Sequence, residues 1–367
     1  MSGLTTAISG EIRERGAMTC ARFMELVLYA PGLGYYERAA GRVGRGGDFY
    51  TSVSAGPLFG ELLALQFAEW LDDLCKIQSL KCKACLVEAG AHDGKLAADI
   101  LGWLQSRRPE LFARIEYWII EPSSNRQAWQ RETLQKFSQQ VRWLAGLPPA
   151  SGHPPFHGVI FSNELLDALP VHRLGWSAAE KKWFEWGVDW QDEKFIWRRL
   201  DGEITTLAPQ LPDELLAVLP DGFTTEAGPA AEQWWRQAAG ALASGKLVAI
   251  DYGLGDAEFF LPQRGQGTLR AYHRHHAVAD LLAQVGEQDL TAHVNFTCLQ
   301  TVGEAAGLRT VEFVSQTCFL TRLVKKFCAG EITPEKFAAT RARQFQTLTH
   351  PEHLGRSFRV LVQSRAS

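Results

Sequence analysis

CLVEAGAHDGKLAADIL, residues 85 to 101, is the stretch on which the fold turns. It opens as a short apolar run, turns at Gly90, and continues with Leu96, Ala97, Ile100 and Leu101 at helical spacing. That pattern is strand, tight turn, helix. Such a turn sets backbone N–H groups and the positive end of a helix dipole beside whatever binds there.

The stretch sits in an alternation of apolar runs and helical segments. Candidate strands are 85–90, 116–122, 141–145, 158–164 and 246–253, and their near-continuous apolar character predicts a parallel sheet buried on both faces. Ahead of them, residues 5 to 30 predict a helix pair. A segment with six glycines between 32 and 47 follows, and then an amphipathic helix over 57–74. Between the fourth and fifth strands, VHRLGWSAAEKKWFEWGVDWQDEKFIWRRL predicts an antiparallel meander, and AAEQWWRQAAGALAS a helix. Residues 292–307 predict a helix, RTVEFVSQTCFLTRLV one or two closing strands, and the polar tail from Thr333 a helix. The expected division is an N-terminal helical extension with a glycine-rich cover (1–75), a Rossmann-like domain in two parts (76–170 and 244–330), an inserted subdomain (171–243) and a helical tail (331–367).

The 367 residues are 46% hydrophobic and 22% charged, with a net charge of −3, as in a soluble globular protein. No global basic field draws the chain to nucleic acid or to an anionic membrane, and no apolar run approaches the length of a membrane span. The start, MSGLTTAISGEIRERG, lacks an apolar signal core, and its glutamates count against a transit peptide, so a cytosolic protein is expected. Seven cysteines without regular spacing point to reduced thiols, Cys82 and Cys85 included. The cluster LRAYHRHH holds His273, His275 and His276, at spacings that do not place three metal ligands on one helix face. A loop contacting substrate or a carboxylate through Arg270 is the expected reading, and no metal is expected.

Three ligands compete for the turn. A dinucleotide fingerprint needs a glycine where the pyrophosphate approaches, and only Gly90 and Gly94 are present. A phosphate-binding P-loop is excluded by its length and by Leu96, which stands where magnesium needs a hydroxyl. The methyltransferase form, apolar–acid–x–G–x–G–x–G, fits with Glu88 as the acid and His92 at the middle glycine, and an ordinary tight βα turn stays open beside it. EYWIIEPSSNRQAWQ adds Glu121 at the tip of the next strand, where a carboxylate can take ribose hydroxyls. GVIFSNELLDALPVHRL ends its strand in Asn163 and Glu164, with Asp167 placed at helical spacing on the same face.

In these blocks the chain resembles the MidA-like methyltransferases, the family of the mitochondrial complex I assembly factor that methylates protein arginine. The match runs in order through GYYERAAGRVGRGGDFYTS, FGELLALQFAEW, VEAGAHDGKLAADIL, IIEPSSNRQAWQ, NELLDALPVHRL, AIDYG, GTLRAYHRHHAV and DLTAHVNF. It implies an α/β fold, a class I methyltransferase (Rossmann-like) sheet with an N-terminal helical extension and an inserted β/α subdomain. S-adenosyl-L-methionine is the implied cofactor. By position, Glu88, Gly90, Gly94 and Glu121 would bind it, with Asp48, Thr51 and Ser52 in the cover. Asn163, Glu164 and Asp167 would be catalytic, the two acids clamping an arginine guanidinium and accepting its proton. An arginine-bearing protein, with a complex I subunit as the natural case, is the implied partner, and a homodimer is an expected assembly. The chain departs from the family at Ala91-His92, where Pro-Gly is usual, at Val53-Ser54, where Pro-Glu is common, and at Asn295, where an aspartate is. The altered turn keeps a second expectation in play: a non-catalytic assembly factor that binds S-adenosylmethionine or a partner.

Overall fold

Seven strands form the central sheet: β1 (Ala84–Ala89), β2 (Ile115–Ile120), β3 (Val141–Leu144), β4 (Phe156–Asn163), β5 (Leu242–Leu254), β6 (Arg309–Ser315) and β7 (Phe358–Arg365). The computed structural model describes residues 2–38, 51–78, 84–148, 152–202, 204–273, 276–330, 339–350, 354–355 and 357–366. Strand order is β6-β7-β5-β4-β1-β2-β3, and a two-residue strand, Val294–Asn295, lies parallel to the end of β5. The chain leaves β1 toward β2 and β3, then returns to the other side of β1 as β4. This reversal opens a crevice at the carboxyl ends of β1 and β4, where such sheets bind ligands.

The central strands pair in parallel, but β7 runs antiparallel to both β5 and β6, so the sheet is mixed rather than all parallel. Two expectations change with it. RTVEFVSQTCFLTRLV is one strand, β6, followed by a helix: the Ser315 hydroxyl accepts from the Cys318 amide, and Phe319, Leu320, Leu323 and Phe327 recur at helical spacing and are buried. The tail is not wholly helical either. Phe358, Val360, Leu361 and Val362 are buried as β7 slots between β5 and β6. Gln363, also buried, accepts from Trp235 Nε1 at 2.8 Å, a partner 128 residues away.

Helices cover both faces. α1 (Gly3–Arg15) and α2 (Cys20–Tyr29) form the N-terminal pair. On one face α3 (Leu58–Gln78), α4 (Lys95–Arg107), the helix after β6 and the helix near the tail pack with Leu86, Val159, Val248 and Val360. On the other, Trp235 and Leu299 pack with Val87, Ile160 and Ala249. In chain order the remaining described helices of ten or more residues are α5 (Ser124–Thr133), α6 (Pro229–Ala241), α7 (Phe296–Ala305), α8 (Gln316–Gly330) and α9 (Ala339–Thr349). The tryptophan-rich insertion is antiparallel as expected: Lys182–Gln191 pairs with His172–Ser177 and Lys194–Arg199, and also with Met18–Thr19 from the N-terminal extension. Its aromatics are packing residues. Trp190, Phe195 and Trp197 lie against α1 and α2, and Trp176 and Trp183 against Phe223.

Candidate functional site

A cleft of about 1230 Å³ opens at the carboxyl ends of β1 to β4. Each strand contributes its tip: Glu88 and Gly90 from β1, Glu121 from β2, Ala145 to Leu147 from β3, Asn163 and Glu164 from β4. Tyr29 and Tyr36 of the N-terminal region and Trp234 of α6 close it from above.

The turn after β1 is built from three left-handed residues, with φ of 76° at Gly90, 46° at His92 and 84° at Gly94. Gly90 lies on the cleft wall, and a Cβ there would meet Leu165 at 3.0 Å. Gly94 is off the wall. It begins α4 against Leu134 and Gln130, so its role in the fold is close packing. Asp93 Oδ1 accepts from the Lys95 amide at 3.0 Å, and Gln130 Nε2 ties the turn to the second strand by donating to the His92 carbonyl at 3.0 Å and to Glu121 Oε2 at 3.2 Å. A side chain at φ 46° costs roughly 1–2 kcal/mol relative to glycine, which explains the glycine usual at this position. His92→Gly is therefore expected to raise the thermal midpoint, and an unchanged or lower midpoint in calorimetry would refute the strain.

Glu88 is buried, with the Tyr117 hydroxyl donating to its Oε2 at 2.6 Å. Burial pushes its carboxyl up to about 7, against that hydrogen bond. Glu121 is also buried but well supplied: Oε1 accepts from the Ser123 amide and Arg126 Nε, both at 2.9 Å. With Gln130 on Oε2, three of roughly four lone-pair sites are used within the protein.

The residue after β4 departs most from ordinary geometry. Glu164 has φ 52°, and its amide donates to the Ile250 carbonyl at 3.0 Å. Residues 164–169 form turns instead of the helix expected from the Glu164–Asp167 spacing. The left-handed Glu164 stops a helix from starting, and buried Asp251 holds the Leu165 and Leu166 amides at 3.1 and 2.8 Å. Glu164 keeps an accessible edge on the cleft. Its Oε1 accepts from the Ser52 amide at 3.0 Å and Asn163 Nδ2 at 3.1 Å. Its Oε2 and the Asn163 Oδ1 are buried and have no hydrogen-bond partner among the described residues. Burial pushes the Glu164 carboxyl up to about 8, only partly opposed by those donors.

Asp167 is not on the cleft wall. Its side chain hydrogen-bonds to Asp251, and burial together with the Asp251, Asp289 and Glu164 carboxylates raises it well above the usual range. Asp289 in turn accepts from the Tyr36 hydroxyl at 2.7 Å, and Tyr36 stacks on Tyr29 with ring centroids 5.5 Å apart. Of the expected cover, Thr51 lines the cleft, Ser52 is buried behind Glu164, and Asp48 lies outside the described residues, as do His275 and Cys82. Asp289, Tyr36, Arg126 and Gln130 were not singled out from sequence. The only signal was that each falls inside or beside a block of the family resemblance.

These raised carboxyls set the pH dependence of stability. Glu88 and Glu164 hold protons in the folded state that the unfolded chain releases above its ordinary value of 4.5. The unfolded state therefore binds fewer protons between 4.5 and about 8, and stability falls as pH rises through that window. The protein is expected to melt lower at about pH 8.5 than at about pH 6, and a flat or rising midpoint across that range would contradict the assignment.

The chain matches the model of the S-adenosyl-L-methionine-dependent methyltransferase family over residues 62–314. It is 26% identical over 392 residues to the Drosophila melanogaster protein named protein arginine methyltransferase NDUFAF7 homolog, mitochondrial, covering 98% of this chain and 84% of that one. With the Rattus norvegicus protein arginine methyltransferase NDUFAF7, mitochondrial, identity is 27% over 389 residues, covering 95% and 81%. A Burkholderia thailandensis protein crystallised with S-adenosyl-homocysteine superposes with a TM-score of 0.84 at 32% identity, covering 99% of this chain and 92% of that one. The relatives named mitochondrial overturn the cytosolic expectation, which rested on the residue types in the stretch MSGLTTAISGEIRERG.

Proposed function

The chain belongs to the S-adenosyl-L-methionine-dependent methyltransferase family, and from that premise we propose that it methylates the guanidinium of a protein arginine. S-adenosylmethionine, the cofactor, supplies an electrophilic methyl group when bound. The cleft suits it: Glu88 accepts from one donor among the described residues and has a raised carboxyl that a nearby cation would lower, and Glu121 has acceptor capacity left for a hydroxyl. In this reading Glu88, Gly90 and Glu121 hold the cofactor, and Thr51 belongs to the cover.

The observation that carries the acceptor is a pair of buried oxygens, Glu164 Oε2 and Asn163 Oδ1, that have no hydrogen-bond partner among the described residues and belong to two side chains lining the cleft at the β4 tip. A guanidinium presents planar N–H donors and stays protonated, because its pKa exceeds about 12. Two adjacent acceptors orient that fork, and alignment of this kind contributes roughly 7–11 kcal/mol. A guanidinium bound beside Glu164 favours its ionised form, and as a guanidinium nitrogen takes the methyl group and must lose a proton, Glu164 Oε2 accepts it. A carboxyl raised toward neutrality is suited to that task. Asp167 acts differently from the expected clamp: hydrogen-bonded to Asp251, it is a positioning residue for the turn that carries Glu164. A complex I subunit as acceptor, and a homodimer, are carried forward on the family resemblance alone. The test is incubation with methyl-labelled S-adenosylmethionine and arginine-containing polypeptides, followed by mass spectrometry of the products. Methylarginine supports the proposal, while label on another residue type, or on none, overturns the acceptor.

A further inference from the structure

The stretch GTLRAYH (267–273) is not part of the cleft wall that holds Gly90 and Glu121. It lies past Glu164 in the other direction, because β5 flanks β4 on the side away from β1 and β2. Tyr252 follows Asp251 in β5, and its hydroxyl is raised by burial and by the Glu164 and Asp167 carboxylates, with Tyr272 also beside it. Tyr272 belongs to the strand Arg270–His273, in which Arg270 pairs with Thr291 and Tyr272 with Asp289. On the other flank of β5, Arg359 stands opposite Asp251 in the register. The acids therefore give way to two tyrosines, and the tyrosines to arginines.

His293 belongs to the same group: its amide donates to Thr268 Oγ1 at 3.0 Å, two residues before Arg270, and the preceding Ala292 amide donates to the Asp167 carbonyl at 2.9 Å. The His293 ring is held uncharged, pushed down to about 4 by burial and then by Arg264, Arg270 and Arg359. Arg359 pairs with Glu258 at 3.1 Å, whereas Arg264 and Arg270 form no ion pair among the described residues. His293 Nδ1 and Arg264 Nε are buried without hydrogen-bond partners among those residues. Of the acids in this segment, Glu226 accepts from the Thr268 and Leu269 amides and Glu258 pairs with Arg359, which leaves Arg264 and Arg270 as its cations without an ion pair among the described residues.

We propose that Arg264 and Arg270, with His293 behind them, form a docking subsite for an aspartate or glutamate side chain close in sequence to the acceptor arginine. The enzyme would then select arginines in acidic surroundings. This rests on the arginine reading above and names the substrate class for the same site. A guanidinium at Glu164 and a carboxylate at the arginines satisfy both signs at once, and arginine forks receive carboxylates in two-pronged geometry. A lysine or arginine at the flanking position would meet like charge, which is how such surfaces reject competitors.

The test is a peptide library with a single arginine and randomised flanks, incubated with the full-length protein and methyl-labelled S-adenosylmethionine, with products sequenced by mass spectrometry. Acidic flanks are expected to be enriched about tenfold over basic ones. The enrichment should vanish in Arg264→Gln/Arg270→Gln and invert in Arg264→Glu/Arg270→Glu, with S-adenosylhomocysteine binding by both variants as the folding control. The neutral pair serves if charge reversal prevents folding. Methylarginine without flank preference, or an acidic preference that survives in the neutral variant, overturns the subsite and leaves the acceptor assignment standing. No methylarginine from any library member overturns the acceptor assignment itself, and the subsite with it.

Discussion

Glu164→Gln is expected to reduce methyl transfer by about 10²- to 10⁴-fold, the usual contribution of a positioned general base, while cofactor binding survives. The substitution keeps the volume of the side chain and an oxygen that can accept from the Ser52 amide and from Asn163 Nδ2. It puts an N–H donor in place of Oε2, the oxygen without a hydrogen-bond partner among the described residues, so the proton acceptor and one acceptor for the guanidinium fork are lost together. A second consequence distinguishes this cause from general damage. Because burial raises the Glu164 carboxyl to about 8, the wild-type protein loses stability as that group ionises, and glutamine does not ionise. The variant should therefore melt at least as high as wild type at about pH 8.5, with a shallower dependence on pH. Turnover within a factor of about three of wild type at saturating substrate would remove Glu164 from the chemistry.

Glu121→Ala is expected to weaken S-adenosylhomocysteine binding by roughly 10- to 150-fold, which corresponds to the 1.5–3 kcal/mol of hydrogen bonds to a charged group. Glu121 stands at the tip of β2 on the cleft wall, and its hydrogen bonds hold Arg126 and Gln130 in place. Gln130 also supports the His92 carbonyl, so the substitution loosens the turn after β1 as well as removing an acceptor. It leaves Arg126 with Glu37, 4.0 Å away, as its remaining ion-pair partner among the described residues. A lower melting midpoint is therefore expected alongside the loss of affinity. Glu121→Gln separates the two effects, because it retains an acceptor and most of the packing. Calorimetric titration of both variants decides the matter, and undiminished affinity in Glu121→Ala would take the residue out of cofactor binding.

Much of this site was legible in the sequence because its signals are local. An apolar run that turns at Gly90 and resumes at helical spacing specifies strand, turn and helix through backbone sterics and periodicity, which need no partner elsewhere in the chain. Carboxylates directly after apolar strands, at Glu121 and Glu164, fall at strand tips for the same reason, and parallel pairing then sets those tips on either side of β1 at one edge of the sheet. The meander was legible too, since alternation with intervening turns has a period of two.

What only the tertiary structure decided depends on contacts far apart in sequence. β7 is a strand because a slot between β5 and β6 buries its apolar residues, a partner contact that the polar tail sequence around it did not signal. Glu164 and Asp167 look equivalent at helical spacing, yet no helix forms. Asp251, 84 residues beyond Asp167, captures the Leu165 and Leu166 amides, sending one acid to the cleft and the other into the interior. The same holds for the Ser52 amide on Glu164, across 112 residues, and for Tyr36 on Asp289, across 253. A sequence can show which residues carry charge. Which of those charges reach the cleft, and with what proton affinity, follows from burial and from partners that only the folded chain brings together.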